Sequence, residues 1–203
     1  MGTFTVVYQT SPTRSTPLYP HSPELLSAAK YTPLEMIVVA TKLRHSILFT
    51  EALIYTVGQW WRLGDKIPKL KKENRAIYKA IVASEAQILE RLAVLKVKIS
   101  HACAENHTIF DTVQTIERQH FAGLESKPLR YVGYYRDLLK AFQKKDHSRP
   151  LVNSIIQLLN ALLANNLVGD REAVAGVGWY AESFLCATID DEDLPWDQAE
   201  MDW

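Results

Sequence analysis

From Thr32 onward, apolar side chains recur every three or four residues, the spacing that gathers them on one face of an α-helix. Thr32-Pro33-Leu34-Glu35 is a start signal, with an N-cap hydroxyl, a proline at the first helical position and a glutamate three residues after the cap. A first helix is expected from there to about Leu43. A second runs from about Ser46 to Leu63 and carries Ile47, Leu48, Ala52, Leu53, Tyr55 and Trp60. Gly64-Asp65 stops it and Pro68 keeps it from resuming. The two form an antiparallel pair joined at Arg44-His45.

The third helix is the longest, from about Glu73 to Glu105. Ile77, Ile81, Ser84, Ile88, Leu92, Leu95 and Ile99 step by four, three, four, four, three and four, which makes one stripe. At about 1.5 Å per residue it spans roughly 45–50 Å, longer than a small domain needs. It therefore forms a spine or projects toward a partner, with a break expected near His101. Further helices are expected over 108–121, over 128–143 with Tyr131, Tyr134, Tyr135, Leu138, Leu139 and Phe142, and over 149–167. The last of these has only a thin polar stripe of Asn153, Gln157 and Asn160, so it should be the central one. A final helix from Asp170 to Ile189 contains Gly176 and Gly178, where another helix would approach closely. The fold class is all-α, a bundle of six to seven helices.

Residues 10–33 hold five of the nine prolines, interleaved with Ser and Thr, and predict an extended arm. Upstream, residues 3–9 have the β-branched character of a short strand. The chain thus divides into an arm over 1–31, a helical bundle over 32–189 and an acidic tail over 190–203. A folded region of about 150 residues buries roughly 70% of its extended-chain surface and needs no staple. Cys103 and Cys186 lie in apolar helical context without a secretory signal, so they are read as reduced thiols of an intracellular protein, cytoplasmic or nuclear. No run of eighteen apolar residues suggests a membrane span. The start Met1-Gly2 is followed by a poor match to a myristoylation signal.

Formal net charge is zero, which argues against a general polyanion binder. The neutrality conceals an asymmetry. Lys66, Lys69, Lys71, Lys72, Arg75 and Lys79 crowd one segment, while seven carboxylates fall between Asp190 and Asp202 with no basic residue among them. Trp196 and Trp203 are set in that acidic run, and a large indole is stable when its flat body is covered. The tail therefore reads as something that docks, on its own domain or on a partner. Its candidate contact residues are Asp190, Asp191, Glu192, Asp193, Trp196, Asp197 and Trp203, with Lys69, Lys71, Lys72 and Arg75 as their basic counterparts. Lysines at a helix start are mildly unfavourable, so the tail is expected to fold over 66–79.

No enzyme is expected. Nucleophile-elbow, zincin, P-loop and dinucleotide motifs are missing, and the carboxylates at 190–193 are consecutive rather than separated by environment. His101, Cys103 and His107 do not make a tetrahedral zinc set, because 101 falls off the face shared by 103 and 107. No metal or cofactor is expected. Trp60-Trp61 and the three tyrosines are read as core and boundary aromatics.

Two segments carry a family resemblance. KLRHSILFTEALIYTVGQWW (42–61) resembles the helix pair that follows the BTB fold in fungal BTB/POZ-domain proteins, and FLCATIDDEDLPWD (184–197) is similar to the way many of them end. The resemblance implies a BACK-like helical region acting as a protein-interaction module. In that family the BTB fold dimerises or recruits a cullin-type ubiquitin ligase. Before Thr32 there is room for one strand and an arm, so ligase recruitment is not carried over. The expected partner is another protein. The alternative is a transcription-linked or nucleic-acid-associated protein using 66–79.

Overall fold

The computed structural model describes residues 23–122, 131–144 and 150–197. The expected strand at 3–9, most of the arm, Trp203 and the side chain of Trp61 lie outside that set. Among the described residues there are eight α-helices, short 3-10 turns and no strand. The protein is an all-α bundle.

Order starts earlier than Thr32. Pro23–Tyr31 is helix α1, with proline opening it, Glu24 in the first turn and Lys30 in the last, each sign of charge matched to the helix dipole. Leu26 and Ala29, one turn apart, are buried. This helix changes the use of Thr32. Instead of capping the second helix, its hydroxyl donates to the Ala28 carbonyl at 3.2 Å and closes α1. Helix α2, Pro33–Lys42, then begins without a side-chain cap. Helix α3, Ser46–Gly58, is capped by His45, whose Nδ1 accepts from the Leu48 amide at 3.2 Å.

Helix α3 is the central element, in place of the expected 149–167. Every residue from Glu51 to Gly58 is buried, so it has no wet face. Helices α1 and α2 pack on one side of it and the long helix on another. Residues 60–62 form a 3-10 turn, and the basic α4, Ile67–Glu73, leads into α5, Arg75–Glu105. Helix α5 passes His101 unbroken, and all seven positions of its expected stripe are buried. Helix α6, His107–Phe121, is capped by Asn106, whose Oδ1 accepts from the Thr108 and Ile109 amides. Helices α7, Val132–Gln143, and α8, Pro150–Leu162, complete a sheet-free stack in which α8 lies on α5 and α7.

The expected helix over 170–189 does not form. Apart from a 3-10 turn at 178–180, residues 163–190 contain no helix. Gly176 and Gly178 have φ of +80° and +55°, left-handed values that interrupt a right-handed helix. Ser183, Phe184, Leu185, Cys186 and Ala187 are all buried, so both sides of this stretch are covered. A helix with one wet face cannot bury five consecutive residues, but an extended chain inside a core can. Its backbone groups find partners outside any ladder. Asn166 donates from its amide to the Leu185 carbonyl at 3.1 Å and from its side chain to Ala187 at 3.3 Å. The Ser84 hydroxyl donates to the Thr188 carbonyl at 3.1 Å. The close approach expected at the glycines occurs at Gly176, where an added Cβ would lie 3.1 Å from the Val132 carbonyl carbon.

Gly58, the last residue of α3, makes room for this chain. A Cβ there would sit 2.6 Å from the Phe184 carbonyl oxygen, a backbone atom that cannot swing away. Gly58→Ala is therefore expected to destabilise the fold by about 2–3 kcal/mol, the upper range for overpacking, despite alanine's better helix propensity. Equilibrium urea unfolding checks this, and an unchanged or raised midpoint contradicts it.

Candidate functional site

Three surfaces bear on function: the acidic tail, the basic segment and the outer face of α5. The described part of the tail, 190–197, docks on its own domain. Asp191–Asp193 form a 3-10 turn, Leu194 is buried, and Trp196 meets the fully buried Phe49 edge-to-face with ring centroids 5.3 Å apart. Such aromatic pairs contribute about 0.5–1.5 kcal/mol beyond the area they cover. Asp190, Asp191, Glu192, Asp193 and Asp197 remain on the surface around this apolar anchor.

The tail reaches helix α5 rather than the whole basic segment. A groove of about 300 Å³ separates Lys79, Ala83, Ser84 and Gln87 on α5 from Glu192, Asp193 and Pro195. Of the expected basic counterparts, Lys69, Lys71, Lys72 and Arg75 are all exposed. Lys71 places its ammonium 5.6 Å from the centre of the Tyr78 ring. Lys66 approaches Glu35 of α2 at 3.8 Å, an exposed pair of little weight.

The histidine and cysteine cluster serves helix surfaces. His101 faces Glu105 at 3.5 Å and His107 faces Asp111 at 2.9 Å, both one turn apart. Burial, and then the nearby Glu117 carboxylate, push the Cys103 thiol up. Burial also pushes up Tyr134 and Tyr135, the latter to about 12. His120 bridges α6 to α7 through Asp137 at 2.9 Å.

Helix α5 carries a second apolar stripe. Val82, Ala86, Leu89, Ala93, Val97, Ser100 and Ala104 repeat the four, three, four, four, three, four stepping of the buried stripe, five residues on. At 3.6 residues per turn that displacement is about 140° around the axis, nearly the opposite face. All seven are exposed, Val97 by 70%. Ser100 and Ala104 continue into a groove of about 430 Å³ between α5 and α6, which is also lined by Cys103, Val113 and the half-exposed Phe110.

A buried polar network, which the sequence alone does not reveal, fixes the start of the extended segment. Glu51 is 1% exposed, and its two oxygens accept from the amides of Val168 and Gly169 at 2.8 and 3.2 Å. Tyr180 donates to Asp170 at 2.7 Å, and Lys30 donates to the same oxygen at 3.3 Å. Tyr180 has one proton and gives it to Asp170, so Tyr55, 3.4 Å away, is the donor between the two hydroxyls. The hydrogen bond from Tyr180 and the ion pair with Lys30 hold the Asp170 carboxyl below its usual range. Burial pushes Tyr180 up to about 12. The one sequence signal for this network is a single carboxylate inside the apolar run from Ile47 to Val57.

No family model, no curated protein and no solved structure matches the chain. Among the described residues no helix is long and apolar enough to cross a membrane.

Burial raises the Glu51 carboxyl against the opposing pull of the two amides. The folded state then holds that proton more firmly than the unfolded state does. Stability from this group is present below the ordinary glutamate range and is lost as pH rises through the raised value. In Glu51→Gln that slope disappears, so wild type loses ground to the variant as pH climbs above the ordinary glutamate range. Urea midpoints of both proteins measured across pH check the sign, and a widening wild-type advantage contradicts it.

Proposed function

We propose that the protein is a non-catalytic protein-protein interaction module that takes an amphipathic helix of another protein along the outer face of α5. The reading is supported by one observation, the exposed second stripe from Val82 to Ala104. A stripe is buried when it has a partner, and its twin on the same helix is buried throughout. The stripe spans 23 residues, whose 22 steps advance about 33 Å at about 1.5 Å each, which is about six turns of surface. Small Ala86, Ala93, Ser100 and Ala104 let a second backbone come close, while Leu89 and Val97 stand as anchors between them. Glu90 borders one side of the stripe and Lys96 the other, so the rims are charged and the centre is apolar. This is the helix-in-groove mode, read at i, i+3, i+4 and i+7.

The acidic tail is a weaker candidate than its composition suggests, because Leu194 and Trp196 are already engaged within the chain. The resemblance to the BACK-like region of fungal BTB/POZ adaptors agrees with a scaffold role and adds no partner of its own. An intracellular setting for that partner follows from the same resemblance and from the reduced thiols.

A photo-crosslinking residue placed at Val97 in the full chain, expressed in its native cells, identifies what covers the stripe. We expect a discrete adduct there and none from the same probe at Lys72. Leu89→Arg with Val97→Arg should cut partner retention at least tenfold, about 1.4 kcal/mol, with the helical circular dichroism unchanged. Equal adducts at both positions, or full retention by the double variant, contradict the reading. Steeply salt-dependent capture of nucleic acid lost in Lys69→Ala/Lys72→Ala would favour the alternative use of the basic segment instead.

A further inference from the structure

The seven exposed positions of the second stripe on α5 are symmetric about their middle member. Leu89 and Val97 lie four residues either side of Ala93, Ala86 and Ser100 seven, and Val82 and Ala104 eleven. The stepping is two repeats of eleven residues, each close to three turns, which keeps the stripe nearly straight. A straight stripe that reads alike from both ends fits its own image laid antiparallel, with a two-fold axis passing beside Ala93. Such an interface presents one patch to the same patch.

Resting on the reading of this face as a helix-docking surface, we propose that its occupant in the isolated protein is α5 of a second copy, antiparallel and centred on Ala93. The sizes fit level by level. Ala93 meets Ala93, Ala86 meets Ser100 and Val82 meets Ala104, so a small residue stands on at least one side each time. Leu89 and Val97 share a level but lean about 40° to opposite sides of the stripe, so they pass beside each other.

The rims fit as well. Glu90 and His101 border one side of the stripe, and Glu85 and Lys96 border the other. The two-fold keeps each rim on its own side while reversing its direction. Along the axis, the second copy's Lys96 then comes about 7.5 Å from Glu85, and its His101 as far from Glu90. A parallel pair would instead set Glu85 that close to the second copy's Glu90. Antiparallel order therefore places unlike groups nearest. The footprint is about 33 Å by the 10 Å width of a helix, roughly 330 Å² on each copy, less than half the ~800 Å² per partner of a standard interface. Self-association is therefore reversible, in the range of about 10 µM to 1 mM, and a better-fitting helix of another protein can displace it.

Sedimentation velocity of the full chain across that range should show a reversible shift from monomer to dimer. Leu89→Arg/Val97→Arg should stay monomeric throughout, with unchanged circular dichroism. Direction is read from cysteines placed in a Cys103→Ala chain, where Cys186 is 1% exposed and silent. Ala93→Cys should give a disulfide-linked dimer under mild oxidation, because with axes about 8–10 Å apart it is the stripe residue that meets its own image within disulfide reach. Ala86→Cys, about 21 Å from its own image, should link roughly tenfold more slowly alone, yet readily when mixed with Ser100→Cys. A monomer at every concentration overturns the pairing. The docking reading survives that result if Val97 still yields its adduct with another protein, and falls with it otherwise. A dimer that the arginine variant leaves intact, or Ala86→Cys linking to itself as fast as Ala93→Cys, also overturns the pairing.

Discussion

The structure depends on a backbone that runs through a helical core without being helical. Outside a few short turns, the amides and carbonyls between Leu163 and Ile189 lack the automatic partner that a helix supplies, and in a dry interior an unmet polar group costs about 1–3 kcal/mol. The bundle answers with side chains placed for the purpose. Asn165 accepts from the Leu167 amide and donates to the Asp170 carbonyl, Asn166 serves Ala187, Ser84 serves Thr188, and Arg136 donates to Ala175 at 2.7 Å. Glu51 meets two amides at once from the middle of the most buried helix. Besides the segment's own Asn165 and Asn166, these contacts come from α3, α5 and α7, so the segment connects elements that are distant in sequence.

The surfaces that remain follow from this arrangement. Because the extended segment fills the space beside α3 and α5, the chain leaving it at Asp190 emerges over the N-terminal half of α5, and Trp196 reaches Phe49. Acidic character then stays outside while the indole goes in. Helix α5 is covered by α3, α4, α6 and α8 on its buried side, and its second stripe is left open over six turns. The same segment carries Trp179 to the end of α1, edge-to-face with Tyr31. One irregular stretch therefore sets both the docked tail and this exposed pair of rings.

Much of the bundle was legible in the residues. The stripe from Ile77 to Ile99 named the buried face of α5 correctly, and the antiparallel pair around Arg44-His45 is α2 with α3. Helix α1 was hidden because Pro23 was counted with the prolines of the arm, although proline opens a helix as readily as it breaks one. The false helix at 170–189 came from its apolar content. Five buried residues in a row beside two glycines fit a covered extended chain better than a period of 3.6. At the site, the tail's docking on its own domain was one of the two readings offered by its tryptophans. The outer stripe was in plain view as a second copy of the same stepping, but pattern alone cannot say which of two faces is inward. Beyond the lone carboxylate Glu51 in its apolar run, the network with Tyr55, Asp170 and Tyr180 was not legible, since its partners lie more than a hundred residues apart or on an irregular turn.

Cys186 sits in the middle of the extended segment and is 1% exposed, whereas Cys103 lies on the α5 surface. Thiol labelling of a Cys103→Ala protein therefore reports on the segment alone. If the segment is core, the labelling rate of Cys186 rises with denaturant in step with global unfolding and is negligible without it. Rapid labelling in buffer, insensitive to denaturant, would show that the chain from Ser183 to Ala187 is a detachable strand and would contradict the account.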